Sequence, residues 1–128
     1  MSAGIVVAVV LAGGLAAVAR YGVSVISARF SAPAPLGFPW AVLVVNVVGS
    51  AIGGVAIGLA QAGVIPADLR LVLLSGVAGG LTTFSTFSVE TVQLIETGRW
   101  RTAATSVLAN LAVGLAAVTS AWLLVSRL

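Results

Sequence analysis

The sequence predicts an all-α integral membrane protein with four transmembrane helices, the third of them broken near its centre. Three observations carry this prediction. Charged residues make up 7% of the 128 residues and hydrophobic ones 60%, whereas a soluble domain carries about 25% charge. So few charges cannot cover a water-facing surface, and so apolar a chain is not disordered. The charges also leave long uncharged runs at 1–19, 30–67, 71–89 and 102–126, and a membrane helix needs about 20 mainly apolar residues. Finally, the third run is interrupted by Gly79-Gly80-Leu81-Thr82-Thr83-Phe84-Ser85-Thr86-Phe87-Ser88. Two glycines weaken a helix there and two β-branched threonines follow.

The spans follow in order. The first is expected over about 3–28. No basic segment precedes it, and its apolar run continues to Arg20, so it reads as a retained span rather than a cleaved signal. The loop SAPAPLGFP (31–39), with three prolines, leads to a second span over about 38–60. QAGVIPAD (61–68) leads to a third over about 69–96, and the tight turn ETGRW (96–100) to a fourth over about 101–126. The chain reads as one transmembrane unit, 1–128, in the cell membrane, with both termini on one side. Arg70 and Arg127 fall on that side. Arg29, Arg99 and Arg101 fall on the other, joined by Arg20 if it lies near the end of its span. This near-balance is a weak positive-inside signal and is compatible with insertion either way up.

Several functions are excluded early. Cysteine and histidine are absent, which removes disulfides, zinc and haem sites and histidine-based triads. Glu90 is the one acid inside a span and no base accompanies the serines, so an enzyme is not expected. The net charge of +3 comes from scattered arginines, and without a basic cluster nucleic acid is not an expected partner.

Polar groups at membrane depth are costly without a partner and mark the places to look. Asn46 lies near the middle of the second span, either as interhelical glue or as a carboxamide whose donors line an ion path. The 79–88 stretch carries five hydroxyls in seven residues, at Thr82, Thr83, Ser85, Thr86 and Ser88. Unwound backbone there must be buried in protein or line a filled cavity, where carbonyls could hold a cation and N–H groups or a new helix N-terminus could face an anion. Phe84 and Phe87, at i, i+3, share a face with these hydroxyls, and a ring edge carries the positive charge that attracts an anion. Glu90 lies on a similar face, either in a wet vestibule or paired with an arginine. In the fourth span Ser106, Asn110 and Gly114 form a stripe, which is either a polar path or a packing seam.

Together GGLAAVARYG (13–22), FPWAVLVVNVVGS (38–50) and SGVAGGLTTFSTFSVE (75–90) resemble the Fluc, or CrcB-type, fluoride ion channels. The resemblance covers essentially the whole chain, and GGLTTFSTFS is its most specific signature. It implies an antiparallel, dual-topology dimer with two pores, built from a second copy of the chain or from a paired homologous subunit. It implies passive export of fluoride from the cytoplasm, which limits fluoride toxicity. Phe84 and Phe87 would meet fluoride with ring edges, Asn46 would line the pore, and Thr83, Ser85 and Thr86 would line or support it. Glu90 would lie along the same polar route, with Ser106 and Asn110 on the stripe of the fourth span. Arg20 would stand in the vestibule. The carbonyls of Gly79 and Thr82 would hold a structural sodium ion at the dimer centre. Ala41-Val42 departs from a frequent Gly-Thr pair, and Ser106, Asn110 and Gly114 depart from the family's usual stripe. A proton-coupled multidrug exporter is a rival reading, although the first two spans lack the intramembrane acid it needs. A non-transporting membrane assembly subunit is another, and it leaves the hydroxyl cluster unexplained.

Overall fold

In the computed structural model, which describes residues 2–127, four apolar helical spans are joined by short loops. Helix α1 runs Ala3–Phe30, with Ser2 accepting the Ile5 N–H at its start. Helix α2, Trp40–Gln61, follows the proline loop, and Pro39 immediately precedes it. The third span covers Ala67–Glu96 and is composite. Helix α3, Ala67–Leu71, leads into a π-helical stretch, Val72–Ala78, and a single turn, α4, Gly79–Leu81. After the break comes α5, Phe84–Glu96, and then α6, Trp100–Val125. The expected spans agree with these bounds within two residues. The π-helical winding was not expected, because nothing in the apolar pattern of residues 72–78 distinguishes it from an ordinary helix.

The break falls inside the predicted stretch, at Thr82 and Thr83. Both are extended, with φ,ψ of −73°, 156° and −145°, 119°. The two turns between α2 and α3 and between α5 and α6 each use a left-handed glycine, Gly63 (φ 71°) and Gly98 (φ 77°). Such φ values are strained for residues with a Cβ.

Polar contacts tie the ends of the bundle. At one end the Trp122 Nε1–H donates to Gln61 Oε1 at 2.6 Å. At the other, Arg99 Nη1 donates to the carbonyls of Pro35 and Leu36 in the proline loop. Trp40 and Trp100 are exposed at that second end, where amphipathic indole rings suit the bilayer interface.

Between the ends the helices meet through small residues. Lipid tails are as apolar as leucine, so close backbone approach, rather than hydrophobic burial, must hold such a bundle. Helix α2 lies along α6 through Gly54 and Gly58, which face the backbone of Val118 and Trp122. Helix α1 lies against the first half of the third span. There Gly76 faces Val9 and Ala12, and Gly80 sits directly on the Gly13 backbone. A Cβ at Gly80 would stand 2.8 Å from the Gly13 Cα and 2.9 Å from its carbonyl carbon. Backbone cannot rotate aside as a side chain does, so the two helices would have to separate. Gly80→Ala should therefore destabilise the bundle by about 1–3 kcal/mol. Gly14→Ala, with nothing within 4 Å of the added carbon, should be neutral or slightly stabilising. Thermal unfolding of both variants in detergent, read by size-exclusion chromatography, checks the contrast.

Candidate functional site at the helix break

Breaking a helix at membrane depth frees backbone groups that water cannot reach. Here they find side-chain partners. The Thr83 N–H, which in a continuous helix would point to the Gly79 carbonyl, donates instead to Asn46 Oδ1 at 2.8 Å. Asn46 Nδ2 donates to Asn110 Oδ1 at 3.0 Å and, more loosely, to the Thr83 carbonyl at 3.4 Å. Asn110 Nδ2 donates to the Ser106 carbonyl at 2.9 Å. One chain of hydrogen bonds thus joins α6, α2 and the break. Thr83 is buried, and its hydroxyl caps α5 by accepting the Thr86 N–H at 3.2 Å while donating to Thr86 Oγ1 at 3.0 Å. Thr82 turns back, its N–H and hydroxyl both donating to the Ala78 carbonyl at 3.0 and 2.9 Å.

Two cavities flank this node, each of about 300 Å³, and both are bordered by Thr83. The first is lined by Asn46, Ser50, Thr82, Phe84, Phe87 and Asn110, with Leu111 at its wall. The Phe84 and Phe87 rings stand 6.0 Å apart between centroids at an interplanar angle of 39°. The second cavity is lined by Arg20, Tyr21, Ser24, Ser85 and Thr86, and by Ala41, Val42 and Val45. Arg20 is half-buried, and its Nη1 donates to the Thr82 carbonyl at 3.4 Å. It therefore lies level with the break rather than at the end of its span. A smaller cavity, about 70 Å³, continues past Ser24 and Ala41 toward the proline loop and holds Ser27, Ser31 and Glu90. The Glu90 Oε2 is buried without a hydrogen-bond partner among the described residues.

The structure thus divides the residues that the sequence singles out. Asn46, Phe84, Phe87, Thr83 and Asn110 converge on one groove. Arg20, Ser85 and Thr86 share the second cavity with Thr83, and Glu90 lies beyond it. Ser106 borders none of the three cavities. It is completely buried, its hydroxyl has no partner among the described residues, and its carbonyl anchors Asn110. Gly114 is buried too, and a Cβ there would stand 3.5 Å from Ser50 Oγ. Sequence reasoning missed Ser24, Ser27 and Ser31, whose i, i+3, i+7 spacing follows one face of α1 to the residue just past its end and was a usable signal.

A four-span bundle with a polar node at the break of its third span and a cavity on either side of that node defines a multi-pass membrane protein. Residues 7–122 match the family model described as CrcB-like protein, Camphor Resistance (CrcB), and the chain belongs to this family. It is 40% identical over 122 residues to the Fluoride-specific ion channel FluC of Saccharophagus degradans, covering 94% of this chain and 89% of that one. It is 44% identical over 112 residues to the protein of that name from Geobacter metallireducens, covering 87% and 88%. The corresponding figures for Agrobacterium fabrum are 42% over 114 residues, covering 88% and 89%.

Because Thr83 caps α5 through its hydroxyl, Thr83→Val should cost about 1 kcal/mol of stability. Thr83→Ser should restore most of it. Unfolding of the two variants side by side in detergent tests this, and equal stability would assign the cap no energetic weight.

Proposed function

We propose that this chain is a subunit of a fluoride-selective channel through which fluoride leaves the cytoplasm passively, limiting its toxicity. Its relatives carry the name of fluoride-specific channels. The observation that carries the reading onto these residues is the groove where Asn46, Phe84 and Phe87 meet at the capped start of α5. Fluoride is small and strongly hydrated, so a selective path must replace its water with closely spaced donors. Asn46 offers N–H groups, and the first turn of α5 offers backbone N–H groups and the positive end of a helix dipole. The two rings offer positive edges. These groups are neutral, so an anion can be held without being trapped. Arg20 adds one cation beside the path, where it raises the local anion concentration.

The second copy belongs to the same proposal. The Phe84 ring is 80% exposed in the single chain, although it borders the polar groove. An antiparallel partner, inserted the other way up in the plasma membrane, would cover it and close the path. A sodium ion at the centre of that dimer also fits the residues present. With the Thr83 N–H taken by Asn46, the Gly79 carbonyl loses the donor that a continuous helix would give it. The Thr82 carbonyl makes only a long, 3.4 Å contact with Arg20 Nη1 and keeps a lone pair to offer. Oxygen donors suit a hard cation. Gly79 and Thr82 from two copies would supply four carbonyls, and the ion would fix the two breaks against each other. No acid lies in the first two spans, which favours a passive path over proton-coupled export.

Proteoliposomes loaded with fluoride and read with a fluoride electrode test the reading. Rapid fluoride efflux with chloride retained is the expected result, and equal chloride flux or none of either would sink it. Phe84→Ile and Phe87→Ile should each cut fluoride flux about tenfold, equivalent to about 1.4 kcal/mol at the barrier. Unchanged flux in both variants would reduce the rings to packing.

A further inference from the structure

The chain contains two asparagines, Asn46 and Asn110, and they are hydrogen-bonded to each other across α2 and α6. An amide pair can adopt either of two orientations, since oxygen and nitrogen exchange places on a flip. Here the choice is forced from both ends. The Thr83 N–H is a backbone donor and accepts nothing, so Asn46 must turn its oxygen toward it. That sends Asn46 Nδ2 toward Asn110, which must answer with its oxygen. Asn110 Nδ2 then faces the Ser106 carbonyl, a backbone acceptor that donates nothing. Every link agrees in polarity.

We infer that Asn110 is the positioning residue of the path. It holds one Nδ2–H of Asn46 so that the other is left to the weakest partner in the node, the Thr83 carbonyl at 3.4 Å. That second N–H borders the cavity shared with Phe84 and Phe87, and it is the donor an entering anion takes over. Leucine at position 110 would fill similar space and supply no acceptor, and Asn46 would then present its amide to the groove in several orientations. The carbonyl that fixes Asn110 belongs to Ser106, which is completely buried in α6, so the anchor is part of a packed helix. The inference rests on the channel reading for its consequence in flux, while the orientation of the pair stands apart from it.

Having two asparagines makes the test direct. Protein labelled with nitrogen-15 asparagine carries two labelled side-chain amides. In the wild type the two Nδ2 protons of Asn46 should be well separated in shift, and the one held by Asn110 should be slow to exchange with water. In Asn110→Leu they should draw together and exchange faster, with fluoride flux falling in parallel, each by about tenfold, the scale of one lost hydrogen bond. Titrating the wild type with fluoride should move the Asn46 signals and spare those of Asn110. Fast exchange of both Asn46 protons in the wild type would overturn the inference. So would protection that survives Asn110→Leu, or flux lost with the Asn46 signals unchanged, or an equal fluoride shift at Asn110. If Asn110→Leu fails to assemble, wild-type exchange and the titration still decide. If the wild type passes no fluoride at all, the channel reading falls, and the exchange data still judge the orientation.

Discussion

One backbone amide sets the terms for this molecule. Where the third span breaks, the buried Thr83 loses the helical acceptor for its N–H, which donates to Asn46 at 2.8 Å instead. A buried donor left unpaired costs about 1–3 kcal/mol. That scale explains why so apolar a chain carries a carboxamide in the second turn of α2. It also fixes where α2 must lie, since Asn46 reaches the break only if the two spans stay close and in register. Asn110 then ties α6 to the same point.

Close approach is what small residues supply. Gly80 against Gly13, and Gly54 and Gly58 against α6, allow backbones to touch. A hydrogen bond between membrane helices contributes little by itself, about 0.6 kcal/mol on average. The node therefore depends on packing to hold its geometry, and packing depends on the node to satisfy the break. The π-helical stretch belongs to this bargain. It is rare winding, often found near functional sites, and it lies just before α4, with Gly76 facing α1.

The functional consequence is a division of labour by charge. Donors at the node and rings in the groove are neutral, and the charged groups Arg20 and Glu90 line cavities on the other side of Thr83. In the proposed channel, an anion drawn toward Arg20 would pass to groups that bind without a fixed countercharge. Opposite-sign charges at close range would bind fluoride and keep it, whereas dipoles and ring edges allow release.

The four spans, their loops and the site of the break are legible in the amino-acid sequence alone. Each depends on local chemistry: charge-free length, proline and glycine in turns, and glycines followed by β-branched residues. Asn46 and Asn110 stand out in the sequence because polarity at membrane depth contrasts with an apolar background, and Phe84 and Phe87 because they are interleaved with hydroxyls. The tertiary structure alone decided which of them meet. Ser106 and Asn110 belong to one stripe in sequence, yet one is sealed in the α6 packing and the other opens to the groove. The sequence leaves the depth of Arg20 in its span open, and the packing of α1 against the third span brings it to the Thr82 carbonyl at the break. Ser85 and Phe84 are neighbours that face different cavities. Such outcomes depend on how far helices rotate and slide against one another, and that is settled by the summed fit of small residues along whole helices, which no single motif encodes.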